Sequence, residues 1–293
     1  MKGIILAAGR GTRLYPLTKI VNKQLLQIYD KPMVYYPLST LMLLGIKDIL
    51  IITGPEYIDS YNVLIGDGSQ LGINIKYKIQ NESKGISDAF LIGEDFIGND
   101  NVTLILGDNI FYGHGFLTPI RKRIKNFSKG SIIFGYQVKD PERYGVVEFN
   151  DNNEALSLEE KPKNPKSNYA IPGLYIYDNN VVEYTKKLKP SNRGELEITD
   201  LNNVYLNKKQ LNVLLLGRGV AWLDTGTPQS MIEASNFIAY IETRQGLKIS
   251  CIEEVAYNMN FISLEKLKAL CHSMPESTYK DYLIEFIRLK EIR

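Results

Sequence analysis

Short apolar runs alternate with stretches of helical periodicity through the first half of the chain. Residues 3–6, 48–53 and 102–106 are brief and continuously apolar, the pattern of strands buried on both faces. Residues 73–79 alternate instead, with Ile73, Ile75, Tyr77 and Ile79 on one side, as an edge or half-buried strand does. Between these runs, residues 34–44, 56–65 and 87–97 carry helix-like spacing. Strand–helix alternation of this kind predicts an α/β fold, with a mostly parallel central sheet flanked by helices.

The second half is mixed. Residues 131–138, 145–149 and 155–159 read as strands, with Asp151-Asn152-Asn153 as a turn, and 169–177 and 211–216 as two more. Helices are predicted over 181–188, 197–207 and 228–243. Beyond Gly246 the pattern is mainly helical, clearest at 263–270 and 279–289. No internal repeat or flexible linker interrupts the chain. The expected organisation is a unit spanning 1–245 with a helical C-terminal extension, 246–293, of the same unit.

Composition changes this picture little. Of 293 residues 44% are hydrophobic, enough for a substantial core, and Lys+Arg 35 against Asp+Glu 33 leave a formal charge of +2. That near-balance gives no electrostatic footprint for nucleic acid or an anionic membrane, so any anionic ligand must be held by a local site. No run approaches the ~20 apolar residues of a membrane span and no secretory pattern opens the chain, so a cytoplasmic location is expected. Cys251 and Cys271 lack metal or redox spacing and read as packing residues. Two histidines, His114 and His272, make a zinc site improbable.

The candidate chemistry begins behind the first strand, in Ala7-Ala8-Gly9-Arg10-Gly11-Thr12-Arg13-Leu14. Glycines here let backbone N–H groups approach phosphate oxygens. A lone Gly-x-Gly is ordinarily a plain turn, but Arg13 adds a guanidinium whose charge and fork match a phosphate. The loop lacks the Gly-Lys-Ser/Thr of a Walker sequence, and Leu14 stands at the third glycine of a dinucleotide fingerprint. Lys23, in Asn22-Lys23-Gln24-Leu25-Leu26, offers a second cation, though alone it reads as a surface lysine. Asp108, in Leu106-Gly107-Asp108-Asn109, and Asp224, in Trp222-Leu223-Asp224-Thr225-Gly226, both leave apolar runs into turns. Two such carboxylates can share one Mg²⁺, which takes few protein oxygens. Glu160 and Lys161, after Tyr144-Gly145-Val146-Val147-Glu148, suit sugar hydroxyls and a phosphate, although Glu-Glu-Lys is usually a solvated run. Arg193-Gly194-Glu195-Leu196-Glu197 is adequately read as a charged turn before a helix.

Taken in order, Gly-x-Gly-Thr-Arg, Lys-Gln-Leu-Leu, Leu-Gly-Asp-Asn, Tyr-Gly-Val-Val-Glu-Phe, Glu-Glu-Lys-Pro and Trp-Leu-Asp-Thr-Gly resemble the sugar nucleotidyltransferases. The resemblance runs from Met1 to about Tyr257 and extends to the stretches DPERYGVVEF, RGELEITD and AWLDTGT. It implies a Rossmann-like nucleotidyltransferase fold, with a nucleotide-binding first half and a sugar-binding second half. Within the family the match is nearest to members that join dTTP to α-D-glucose 1-phosphate, giving dTDP-glucose and pyrophosphate by one in-line displacement. The resemblance makes Arg13 the clamp on the β/γ-phosphates and Lys23 the bridge between the α-phosphate and the sugar phosphate. Asp108 and Asp224 are then the Mg²⁺ ligands. Leu6, Ala8, Gly9, Gly11, Gln24 and Asn109 fall at the nucleotide, Gln80 at the thymine edge with Gly85 beside it. Tyr144, Gly145, Glu160 and Lys161 fall at the sugar phosphate. A homotetramer is also implied, with feedback by dTDP-rhamnose, the end of the deoxysugar route, at a second site that the sequence does not place.

Some positions depart from the family pattern. Ala8 and Arg10 stand where Gly and Ser are usual, and Gln27 replaces a proline. Asn81-Glu82-Ser83-Lys84 replaces a segment with two prolines before Gly85. A pyrophosphorylase of relaxed or different base and sugar choice, such as UTP, is the alternative within the class. A non-catalytic nucleotide-binding regulator is the alternative outside it. A nicotinamide-dependent dehydrogenase is disfavoured by Leu14 and by the strand-end aspartates.

Overall fold

The computed structural model describes residues 1–292. Strand β1 (Lys2–Ala7) leads into three short 3₁₀ turns, Thr12–Leu14, Leu17–Lys19 and Lys23–Leu25. A small hairpin, β2 (Gln27–Ile28) and β3 (Lys31–Pro32), precedes α1 (Tyr35–Leu43). Next come β4 (Asp48–Thr53), α2 (Ile58–Leu64), β5 (Asn74–Ile79), α3 (Asp88–Ile92), α4 (Glu94–Ile97) and β6 (Val102–Leu106). The chain continues with β7 (Asn109–Tyr112), α5 (Leu117–Lys125), β8 (Ser131–Gln137), β9 (Gly145–Phe149) and β10 (Ala155–Glu160). Then follow β11 (Tyr169–Ala170), β12 (Leu174–Tyr177), α6 (Val181–Thr185), α7 (Ile198–Asn207), β13 (Leu211–Leu215), β14 (Ala221–Asp224) and α8 (Pro228–Gln245). The tail holds α9 (Ile252–Asn258), α10 (Leu264–Ser273) and α11 (Thr278–Glu291).

The main sheet has the order β10-β9-β11-β8-β12-β6-β1-β4-β5, with β13 beside β8. Its β6-β1-β4-β5 part is parallel, while β12 runs antiparallel between β6 and β8. The apolar runs are continuous because each strand serves two cores. Ile5, Ile51 and Ile105 join one cluster with α1 and the tail, whereas Ile4, Leu50 and Leu104 join another on the opposite face. Leu267, Leu283 and Ile287 of the tail share the first cluster with Ile73 and Ile75, and so cover the β5 side of the sheet. Cys251 and Cys271 are free and buried. No described helix is long and apolar enough to cross a membrane.

Two local expectations differ from the structure, and one pairing goes beyond them. Residues 169–177 form two strands, because Pro172 has no N–H to give a ladder and the Gly173 N–H donates to Asn109 Oδ1 at 3.0 Å. The helix predicted over 87–97 splits at Gly93, which packs down on the sheet; a Cβ there would lie 3.1 Å from Ile4 Cδ1. Strands β7 and β14 pair as an antiparallel ribbon outside the main sheet.

Candidate active site

The site gathers where parallel strands β1 and β6 end, the edge at which ligands of open α/β sheets bind. Past β1 the loop turns at Gly11, whose φ of +59° and near contact with Lys23 (3.1 Å for a Cβ) both require glycine. Gly9 differs: a Cβ there would meet no protein atom within 4 Å, so its backbone faces open space. Ala8, Gly9 and Arg10 line a cavity of about 270 Å³ together with Lys23, Tyr57 and Gln80. A second cavity of about 730 Å³ takes Arg13, Asp108, Tyr144, Gly145, Glu160, Lys161 and Asp224. Lys23 lines the first and Asp108 the second. Their ion pair, 2.5 Å between Nζ and Oδ2, is where the two meet.

Lys23 is held from behind by Asn22. The Asn22 side chain accepts from the Gln24 N–H (3.1 Å) and the Tyr61 hydroxyl (2.8 Å), and donates to the Ala7 carbonyl (3.0 Å). The lysine turn is thereby fastened to the end of β1, and Lys23 is only 5% exposed. The β7–β14 ribbon brings the second carboxylate in, since Asp224 stands opposite Asn109 and Thr225 donates its N–H and hydroxyl to the Asp108 carbonyl. Burial raises the Asp224 carboxyl, and the charge of Asp108 raises it further. Burial would raise Asp108 too, but the Lys23 ammonium and the Asn109 amide bring it below its ordinary value. Arg13 closes the group: a Cβ on Gly226 would lie 2.8 Å from its guanidinium and 3.2 Å from Asp224 Oδ1.

In the larger cavity, Glu160 Oε2 accepts from the Thr199 hydroxyl at 2.6 Å, and Gly145 lies close beside both. Lys161 and Arg193 flank Glu160 Oε1 at 3.7 and 3.6 Å, with Lys161 in a left-handed conformation (φ +44°). Tyr144 sets its ring edge-on to Trp222, 5.0 Å between centroids. The segment read from sequence as a plain charged turn is part of this wall: Arg193 holds Glu197 through two bonds (3.1 and 2.7 Å) and lines the large cavity. Arg193, Thr199 and Trp222 were not singled out from sequence, and only their place in the stretches RGELEITD and AWLDTGT could have marked them.

The other expected residues are placed less directly. The Leu6 carbonyl accepts from the Gly107 N–H at 2.9 Å, and Gln24 Oε1 is buried without a protein donor. Gly85, at φ +96°, packs against the Leu196 backbone (2.5 Å from a Cβ to its carbonyl oxygen). Asn109 spends its side chain on Asp108 (2.9 Å), Gly173 and the Trp222 indole (2.6 Å).

The chain as a whole is similar to known proteins. The family model described as nucleotidyl transferase matches residues 2–240. The glucose-1-phosphate thymidylyltransferase of Neisseria meningitidis serogroup A is 56% identical over 98% of this chain and 100% of its own length. That of Mycolicibacterium smegmatis is 54% identical over 98% of this chain and 99% of its own. This chain belongs to the glucose-1-phosphate thymidylyltransferase family. A Bacillus anthracis structure bearing that family's name, in complex with a sucrose, superposes with a TM-score of 0.75 at 43% identity, over 81% of this chain and 94% of that one. A UDP-glucose pyrophosphorylase complexed with UDP-glucose gives 0.71 at 28% identity, over 83% and 99%.

A thymidylyltransferase is expected to use Mg²⁺, and the donor set here is compatible with it. The charge of Asp108 is close enough to raise the Asp224 carboxyl, and both groups are hard oxygen donors. Among the described residues no cluster of three or more His, Cys, Asp and Glu forms a metal cage.

Proposed function

We propose that this enzyme transfers the thymidylyl group of dTTP to α-D-glucose 1-phosphate, releasing pyrophosphate and dTDP-glucose. The observation that carries the reading is the Lys23–Asp108 pair at the junction of two cavities, with Arg13 and Asp224 beside it. The nucleotide lies along Ala8–Gly11 with its base at Gln80, in the smaller cavity. The sugar lies in the larger one, with Glu160 accepting from its hydroxyls and Lys161 and Arg193 beside its phosphate.

An oxygen of the sugar phosphate attacks the α-phosphorus as the bond to pyrophosphate breaks, so no protein nucleophile is needed. Lys23 stands between the two phosphates that must meet, and its charge relieves their repulsion. Arg13 stabilises the departing pyrophosphate, and both cations are pre-placed, so the rate gain comes from orientation and charge. Mg²⁺, held by Asp108 and Asp224, supplies further charge neutralisation at the phosphate oxygens when bound.

Assembly and feedback belong to the same proposal, as does a cytoplasmic setting. The homotetramer rests on the family resemblance, and Ile232 and Tyr240, 55% and 71% exposed on α8, are apolar surface available to its contacts. A separate cavity of about 580 Å³, lined by Phe116, Arg121, Lys248 and Glu254 among others, has room for a dTDP-sugar such as dTDP-rhamnose. The activity is tested by pyrophosphate release with Mg²⁺ and glucose 1-phosphate, offering dTTP, UTP, ATP and GTP side by side. A clear preference for dTTP is expected. Equal or greater use of UTP moves the assignment to a relaxed or uridylyl enzyme, and silence with all four overturns it in favour of a regulator.

A further inference from the structure

A carboxamide that reads a pyrimidine has two ways to do so. Thymine and uracil present an N3–H donor beside the O4 acceptor, whereas cytosine presents an N3 acceptor beside an amino donor. Turning the amide by half a revolution exchanges its oxygen and nitrogen, so a free glutamine matches either ring. Gln80 is not free. Its Nε2 donates to Asp88 Oδ2 at 2.8 Å, and the two side chains are only 7% and 9% exposed.

A carboxylate only accepts, so Asp88 selects the amide rotamer with nitrogen toward itself and oxygen away from itself. Gln80 Oε1 receives no hydrogen bond from any described residue, and Gln80 lines the smaller cavity. Asp88 is fixed in turn. The preceding Ser87 donates its N–H to the Leu196 carbonyl at 3.2 Å and its hydroxyl to the Glu197 carbonyl at 3.1 Å. The backbone that carries the carboxylate is thus tied to the segment that also carries Arg193.

We propose that Asp88 is a positioning residue that locks the Gln80 amide, making the enzyme select 4-keto over 4-amino pyrimidine nucleotides. In the locked rotamer Oε1 accepts from N3–H, and the remaining N–H of Nε2 donates to O4. Cytosine in the same place sets acceptor against acceptor and donor against donor, leaving buried polar groups mispaired. The inference rests on Gln80 being the residue that reads the base.

The test is Asp88→Asn, which keeps the shape but lets position 88 either accept from or donate to Gln80. With glucose 1-phosphate and Mg²⁺, kcat/KM is measured for dTTP, dCTP and UTP. The dTTP/dCTP ratio is expected to fall by roughly ten-fold or more. The dTTP/UTP ratio, which depends on the methyl and the ribose, should stay within about two-fold, as should the KM for glucose 1-phosphate. Asp88→Ser, whose hydroxyl also both donates and accepts, repeats the test if the first variant folds poorly. Gln80→Ala separates the two levels. If it collapses the dTTP/dCTP ratio while both Asp88 variants leave it intact, the lock is refuted and the base-reading role stands. If Gln80→Ala leaves the ratio unchanged, the base-reading role fails and the lock falls with it.

Discussion

Two clusters of charge begin from nearby lysines, Lys31 and Lys23, and they are built to opposite ends. Around Lys31 every charge is matched: Lys31 and Lys248 both contact Asp30 and Glu242, and Glu242 also accepts the Ile249 N–H at 2.8 Å. Two cations meet two anions, tying the β2–β3 hairpin to the end of α8 and the start of the tail. Around Lys23 the matching stops at one pair. Asp224 accepts no hydrogen bond from the described residues, and Arg13 meets no carboxylate within ion-pair distance. A saturated cluster has its charges already matched within the protein and serves the fold. An unsaturated one holds charge that costs the free protein and becomes useful only when phosphates arrive.

Removing one member of the saturated cluster should have the largest effect. Lys31→Ala strands Asp30 and Glu242 with a single cation; Lys31 and Glu242 side chains are 1% and 6% exposed. Loss of a partner in so buried a pair costs about 3–5 kcal/mol of stability. Urea unfolding measures it, and a shift below about 1 kcal/mol would mean the cluster is solvated and the contrast false. Lys23→Ala should act on rate instead. Turnover is expected to fall about 10²–10³-fold, the usual loss of one pre-placed charge-stabilising group. Its urea midpoint should fall by less than that of Lys31→Ala, because Lys23 has a single partner, Asp108, whose side chain is 22% exposed. A midpoint falling as far as that of Lys31→Ala would make Lys23 another structural lysine.

Much of this was legible in the sequence, and the reason is local. Residues 48–53 and 102–106 appear as strands with those bounds because their unbroken apolar runs feed both cores. Arg13, Asp108 and Asp224 could be singled out because each lies at a strand end or beside a glycine turn, and Lys23 because its Lys-Gln-Leu-Leu stands in a recognisable order with them. The relation between them was not legible. Asp224 reaches Asp108 through the β7–β14 ribbon, a pairing across more than a third of the chain that no periodicity reports. Arg193 joins the wall of the larger cavity only once α7 packs on β10, and the break at Gly173 depends on an Asn109 side chain distant in sequence. Asp88 was read as part of a helix, and its contact with Gln80 shows only in three dimensions.

The saturated cluster should also have a distinctive acid response. Burial would raise the Asp30 carboxyl, but hydrogen bonds from Lys248 and Lys31 hold it below its ordinary value of 3.8. A depressed folded value means the stabilisation is fully present above the ordinary value and is lost as pH falls through the folded one. Asp30→Asn should therefore cost roughly 1.5–3 kcal/mol at pH 7, and the gap to wild type should close in strong acid. Urea midpoints across pH 2–7 check it. A gap that widens on acidification would reverse the sign and remove the ion pairs as its cause.

Asp224→Asn should give the smallest change in stability and the opposite sign. Its carboxyl is raised by burial and by Asp108, so the free protein pays to keep it charged near neutrality. Replacing it with a neutral amide of the same shape should stabilise the nucleotide-free enzyme by about 0.5–1 kcal/mol while turnover drops sharply. Gain in one and loss in the other is the signature of a group kept for its ligand, because a residue kept for the fold loses both together. The urea midpoint and pyrophosphate release are read on the same preparation. If the midpoint falls with the activity, Asp224 has a protein partner that matters in the free state, and it belongs with Asp30 and Glu242.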